Sequence, residues 1–203
     1  MSAPCWNCQA DTGGAAFCPA CGKIALRPPN ATHFDPFGLA PGWELDPGQL
    51  EAKYRALSLQ LHPDRFAQAP PKERRLSLEH TSALNEAYRT LKDPVRRAFY
   101  LLRLQGVNLE DEAAAERARM PMDFLEEVME LREALDTARA KKDSDRVQEM
   151  AADVQRKKKA CMEQAVVALK AAETQKAAHA LGRVRYYERF LEEVEAIEEE
   201  LFA

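Results

Sequence analysis

The 203-residue chain is expected to be mostly α-helical, and three observations lead there. Long stretches after residue 120 are dominated by Ala, Glu, Lys, Leu and Arg, which favour helix. Only 8 Gly and 5 Tyr occur, and from Asp46 onward apolar residues recur at helical spacing. A content of 46% hydrophobic and 31% charged residues is that of a globular chain able to build real cores. No apolar run approaches the roughly 18 residues that a membrane span needs, so no membrane association is expected. A net charge of −4 gives no reason to expect nucleic acid as the default partner.

The first segment differs from the rest. Residues 1–23 are Cys-, Gly- and Ala-rich with little helical periodicity, and Arg27-Pro28-Pro29-Asn30 reads as an extended linker because prolines disfavour helix around them, so 1–33 form a separate module and linker. Cys5-x2-Cys8 and Cys18-x2-Cys21 are two knuckle-type pairs nine residues apart. Each short spacer lets one turn present two sulfurs, and Gly13-Gly14 lets the chain fold back, so four thiolates can surround one tetrahedral ion. A small zinc-ribbon-like module holding structural Zn2+ on Cys5, Cys8, Cys18 and Cys21 follows, since a segment this short could hardly bury a core without metal. Reactive thiol pairs or an iron-sulfur site are the competing readings of the same residues. Lys23 and Arg27 are the only cations in residues 1–34, too few for a phosphate-binding face.

The helices follow from their end signals. Asp46 can cap a helix that Pro47 opens, and Leu50, Tyr54, Leu57 and Leu61 form its stripe before His62-Pro63-Asp64 ends it. A second helix starts near Pro70-Pro71 with Leu84, Tyr88 and Leu91 on one stripe. Asp93-Pro94 closes it and opens a third that runs to Leu104 before Gly106. Residues 34–106 thus make a helical domain, and 35–105 hold 11 basic against 9 acidic side chains. Residues 107–121 read as a connector. Three amphipathic helices follow, roughly 122–139, 143–172 and 174–202, so that 122–203 form a three-helix bundle, and 120–203 carry 14 basic against 19 acidic side chains.

Pro63 fixes the backbone at a helix end and leaves the imidazole of His62 and the carboxylate of Asp64 side by side, a pair suited to polar recognition. No Ser or Cys nucleophile is recognisably placed with them and no Gly-rich phosphate loop occurs, so no enzyme activity is expected. Around the tripeptide lie Lys53, Arg55 and Arg65, then Leu84-Asn85-Glu86-Ala87-Tyr88-Arg89-Thr90-Leu91. With that context residues 35–105 resemble a J domain. The resemblance implies that His62, Pro63 and Asp64, with Lys53, Arg55 and Arg65, engage an ATP-dependent chaperone of the DnaK class and stimulate its ATP hydrolysis.

No Gly/Phe-rich linker or central cysteine-rich repeat is present, which sets the chain apart from general-purpose J-proteins. Phe37-Gly38-Leu39, Gln60-Leu61-His62-Pro63-Asp64-Arg65-Phe66, Arg97-Ala98-Phe99-Tyr100-Leu101-Leu102 and Met129-Glu130-Leu131-Arg132-Glu133-Ala134-Leu135-Asp136 resemble the HscB family of iron-sulfur co-chaperones over residues 34–203. That resemblance implies a partner chaperone of the DnaK/HscA type. It also implies a client, the IscU-type scaffold, bound through Leu125, Met129, Glu130, Glu133 and Tyr186. Leu and Met at helical spacing equally suit a bundle core, and the sequence leaves the two placements open. A J-protein with another client, a zinc-ribbon nucleic-acid factor and a thiol oxidoreductase are the alternatives. The N-terminus shows neither a secretory nor a mitochondrial layout, so a cytoplasmic address is expected, while homodimerisation is left open. Cys161 reads as a small buried hydrophobe, and Arg156-Lys157-Lys158-Lys159 as solvated helix surface.

Overall fold

The computed structural model describes residues 4–109 and 120–202, and most of the connector expected at 107–121 lies outside them. Among the described residues six α-helices form the architecture: α1 Pro47–Leu61, α2 Pro71–Lys92, α3 Pro94–Leu104, α4 Met122–Lys141, α5 Ser144–Lys170 and α6 Thr174–Phe202. Among the described residues there is no strand, only isolated antiparallel bridges at Pro4 with Asp11 and Phe17 with Ile24. Two compact units, residues 1–97 and 98–203, divide the chain inside α3.

In the first unit, the expected start signals act as capping physics requires. The Asp46 carboxylate accepts from the Gly48 and Gln49 amides at 2.8 and 3.1 Å, satisfying two donors that the first turn of α1 cannot pair internally. Leu50 and Leu61 are buried, with Tyr54 and Leu57 half-buried on the same stripe. α2 packs against α1 through Leu76, Leu84, Ala87 and Leu91, and the rings of Tyr54 and Tyr88 stack at 4.0 Å. The Tyr54 hydroxyl donates to Asn85 Oδ1 at 2.9 Å, so the pairing of α1 with α2 has a directional lock as well as an apolar one. Ahead of α1, a 3₁₀ turn at Asp35–Phe37 buries Phe37 and ends on Gly38 in the left-handed conformation.

The second unit begins with the C-terminal part of α3, where Ala98, Leu101 and Leu102 are buried. The Gln105 side-chain Nε2 donates to the Leu169 carbonyl at 3.0 Å, close to the end of α5. Along α6, Ala177, Leu181, Val184, Tyr187, Phe190, Val194 and Ile197 recur every three or four residues and are all buried. They meet Val147, Met150, Val154 and Cys161 of α5 and Phe124, Val128 and Leu135 of α4 in a three-helix core. Cys161 is buried, and burial pushes its thiol up.

The basic run in α5 departs from the expectation of plain solvated surface. Arg156 pairs with Asp153, Lys157 reaches Glu127 of α4 at 2.7 Å, and Lys158 reaches Glu188 of α6 at 3.0 Å. Its two central lysines tie α5 to both neighbours, because a helix positioned between two others brings successive side chains to opposite partners. Arg139 to Glu200 at 2.6 Å links α4 to α6.

Removing the α1 cap isolates one local contribution. Asp46→Ala is expected to destabilise the first unit by about 1 kcal/mol in denaturant unfolding. An unchanged midpoint would mean that water replaces the cap without loss.

Candidate functional sites

The four cysteines come together as the spacing requires. Each pair sits on a knuckle with the same hydrogen bonds: Cys5 N donates to Ala10 O and Gln9 N to Cys5 O, while Cys18 N donates to Lys23 O and Gly22 N to Cys18 O. The residue after each second cysteine, Gln9 or Gly22, takes a positive φ of 63° or 69°, which turns the chain back under the sulfurs. All four Sγ atoms lie within 4.8 Å of one another, with Cys5 to Cys21 at 3.7 Å and Cys8 to Cys18 at 3.6 Å. A tetrahedral ion with ~2.3 Å bonds to sulfur sets neighbouring sulfurs ~3.8 Å apart. The donor set therefore fits a four-coordinate, thiolate-preferring metal ion.

Backbone amides favour thiolate at two of these sulfurs. The Cys8 and Asn7 amides hold the Cys5 thiol down to about 6, and the Lys23 amide lowers Cys21. At Cys8 the Ala10 amide lowers the thiol too, but Cys21, burial and the other two sulfurs outweigh it and push it up to about 12. Four sulfurs this close cannot all ionise without a cation among them.

The His62-Pro63-Asp64 loop is a 3₁₀ turn capping the end of α1, with the His62 side chain 55% and the Asp64 side chain 90% exposed. The Asp64 amide donates to His62 Nδ1 at 3.3 Å, so in the neutral ring the proton sits on Nε2. The loop is held from behind. Ser77 and Thr81 of α2 both donate hydroxyl hydrogen bonds to the Leu61 carbonyl, at 2.6 and 3.0 Å. Sequence reasoning missed these two residues, although a Ser and a Thr one helical turn apart on the side of α2 that meets α1 were the available signal.

The cations beside the loop are less free than their number implies. Lys53 donates to the Phe37 carbonyl at 2.6 Å and Arg55 pairs with Glu51 at 2.5 Å, whereas Arg65 is exposed. In the cysteine segment, Lys23 reaches Glu73 at 2.6 Å and Arg27 donates to the Ala31 carbonyl. Both cations that could have met a phosphate there are engaged within the fold.

In the second unit, Leu125 and Met129 of α4 are 42% and 63% exposed, so they are surface rather than core, and Met122 joins them at 70%. Glu126 and Glu130 are exposed one residue along, and Glu133 is exposed one turn beyond Met129. The helix thus carries an apolar row at 122, 125 and 129 beside an acidic row at 126, 130 and 133. Tyr186 of α6 is half-buried, its ring edge-on to Phe124 at 5.6 Å with the Arg132 guanidinium 5.7 Å from its centre. Burial pushes its phenol up, with Arg132 pulling the other way. One turn away, Glu127 accepts from Lys157 and from the Tyr187 hydroxyl, joining all three helices beneath this face.

A helix pair bearing an exposed, braced His-Pro-Asp loop, preceded by a four-cysteine module and followed by a three-helix bundle, defines a J-domain protein of specialised type. Comparison with known proteins carries this further. Residues 33–100 match the DnaJ domain, and residues 120–195 match the HSCB C-terminal oligomerisation domain. The co-chaperone protein HscB homolog of Burkholderia multivorans is 38% identical, over 81% of this chain and 93% of that protein. The iron-sulfur cluster co-chaperone protein HscB homolog of Arabidopsis thaliana is 35% identical, over 95% of this chain and 73% of that protein. Among solved structures, the human co-chaperone protein HscB superposes with a TM-score of 0.84 at 28% identity, covering 96% of this chain and 98% of that one. HscB from Vibrio cholerae gives 0.71 at 33% identity, covering 84% and 99%. The chain belongs to the HscB family of J-domain co-chaperones.

A titratable group next to the cysteine segment offers a direct test of the packing. His80 of α2 is hydrogen-bonded through Nε2 to the Ala25 carbonyl at 2.8 Å, and burial lowers its pKa, with that hydrogen bond and Glu79 working the other way and Arg27 adding to the lowering. The folded ring resists protonation more than the unfolded one, so the unfolded state takes the proton first and stability falls as pH drops below about 6.5. His80→Gln should flatten that part of the pH dependence of unfolding. Equal slopes for the two proteins would show that His80 is not buried as described.

Proposed function

We propose that this chain is a co-chaperone of iron-sulfur cluster assembly that brings two partners together. Residues 34–106 act as the J domain, in which His62, Pro63 and Asp64 engage a DnaK/HscA-type chaperone and stimulate its ATP hydrolysis. Of the cations beside the loop, exposed Arg65 adds attraction to the partner, while Lys53 and Arg55 add less because the Phe37 carbonyl and Glu51 already hold them. Residues 122–203 bind an IscU-type scaffold through Leu125, Met129, Glu130, Glu133 and Tyr186. The ATP chemistry belongs to the partner, and this chain contributes positioning.

The observation that carries the reading is the exposure of an apolar row on α4, which a lone folded chain would gain by burying. Leu125 and Met129 sit in water on a helix whose other face supplies Phe124, Val128 and Leu135 to the core. An apolar row left outside beside an acidic one fits a protein partner with an apolar strip edged by Lys or Arg. Support for a role in iron-sulfur cluster assembly is the family membership and the name of the Arabidopsis relative, an iron-sulfur cluster co-chaperone protein.

For the cysteine module we infer structural zinc on Cys5, Cys8, Cys18 and Cys21. Four thiolates leave no open coordination position, and an ion there supplies cohesion that the segment's few buried side chains, Ile24 and Ala25 among them, do not provide alone.

Two variants separate the proposed activities. His62→Gln is expected to abolish stimulation of the chaperone's ATPase while leaving calorimetric binding of the scaffold within twofold of the original. Leu125→Ala, Met129→Ala and Tyr186→Ala together should weaken scaffold binding at least about 100-fold, as loss of buried apolar anchors does, with stimulation in the absence of scaffold retained. A folded variant that lost both activities would contradict the division of labour. Elemental analysis of the purified chain should give one zinc per molecule, and a cluster absorbing in the visible would overturn that part.

A further inference from the structure

The cysteine module and the His-Pro-Asp loop meet the same short stretch of α2. On the module side, Glu73 is only 6% exposed and its carboxylate is paired with Lys23, two residues after the ligand position Cys21. Two residues further along the chain, Ala25 O accepts from His80. Ile24 O between them accepts from the Trp6 indole at 2.8 Å, and Trp6 follows Cys5 directly and lies under the Lys72 ammonium at 4.5 Å. Every contact in this seam is made by, or anchored to, a residue within four positions of a candidate metal ligand. On the loop side, Ser77 and Thr81 hold the Leu61 carbonyl, the last one before His62. Glu73, Ser77, His80 and Thr81 span just over two turns of one helix.

We propose that metal occupancy of the cysteine module positions the His-Pro-Asp loop, with Glu73 and His80 as positioning residues that transmit it through the first half of α2. The inference rests on the reading of the four cysteines as a metal site and of the loop as the chaperone-docking element. The physical basis is a buried carboxylate. While the module is folded around its ion, Lys23 is fixed against Glu73, whose carboxylate is shielded from water while the lysine stays partly exposed. When the module loosens, the lysine leaves with it and the first turns of α2 lose both their ionic partner and the cover of the Ile24–Ala25 segment. The helix then opens locally at lower cost, and Ser77 and Thr81 hold Leu61 for a smaller fraction of the time. Occupied and empty modules thus differ in how rigidly the loop is presented, while the bundle of α4–α6 is unaffected.

The test uses the full chain, with metal content measured first. Hydrogen exchange of peptides covering residues 72–84 and 58–66 is followed before and after removal of the ion by a chelator under reducing conditions. Exchange in both should rise at least about fivefold on removal, with residues 144–200 unchanged, and the concentration needed for half-maximal ATPase stimulation should rise in parallel. The double variant Glu73→Gln with His80→Ala, still holding one ion, should show the faster exchange already and no further response to the chelator. A chain that loses one measured ion with no change in residues 72–84 overturns the coupling while leaving the metal reading intact. A double variant as metal-responsive as the original overturns the route through Glu73 and His80. A chain that never holds metal overturns both this inference and the reading of the cysteines, and the initial metal measurement tells the cases apart.

Discussion

The structure of the first unit depends on one carbonyl group. A helix ended abruptly by proline leaves its last carbonyls without intrahelical donors, and Pro63 cannot supply one because it has no N–H. The Leu61 carbonyl is buried with its residue, so an unmade hydrogen bond there would cost on the order of 1–3 kcal/mol. Ser77 and Thr81 make it twice over, from a helix that starts ten residues after α1 ends. Those two bonds and the Tyr54–Asn85 bond fix the pairing of α1 with α2. The pairing in turn leaves His62 and Asp64 outside on a short turn with little freedom. A recognition loop so held loses little entropy on docking, and a loop on an unbraced helix end would not share that property.

Much of this was legible in the sequence because proline and aspartate punctuate it. Asp46-Pro47 and Asp93-Pro94 each mark a helix start, and all six helices begin and end within about two residues of where these signals and the apolar spacing put them. The four cysteines were legible for a similar reason, since two-residue spacers constrain local geometry whatever the rest of the chain does. What was not legible is the set of partners distant in sequence. Lys23 reads as a free cation until Glu73, fifty residues on, is seen beside it. Lys53 reads as part of a basic face until its ammonium is found on the Phe37 carbonyl. Charge counting treats each side chain as facing water, and tertiary packing decides which of them do. The placement of Leu125 and Met129 was open for the converse reason. Apolar spacing on α4 is satisfied by two faces, and only the burial of Phe124, Val128 and Leu135 shows which one the core takes.

The competing readings lose ground on the same observations. A phosphate-binding face on the cysteine segment would need free cations, and its Lys23 and Arg27 are both engaged with groups of the fold. Of the basic run in α5, two lysines are spent on bridges between helices. The backbone amides that lower Cys5 and Cys21 would suit a reactive thiol, but they belong to paired knuckles that bring all four sulfurs to ion-binding separation. Among the described residues, no helix is long and apolar enough to cross a membrane.

A protein that binds a chaperone with one surface and a client with another works by effective concentration, and this requires both surfaces on one molecule. The most direct test is to measure the ATPase rate of a DnaK/HscA-type chaperone at limiting IscU-type scaffold. The intact chain is compared with an equimolar mixture of His62→Gln and the Leu125→Ala, Met129→Ala, Tyr186→Ala variant. The account predicts that scaffold and intact chain together raise the rate beyond the sum of their separate effects, and that the mixture, holding both activities on different molecules, gives only that sum. A mixture as effective as the intact chain would contradict the account.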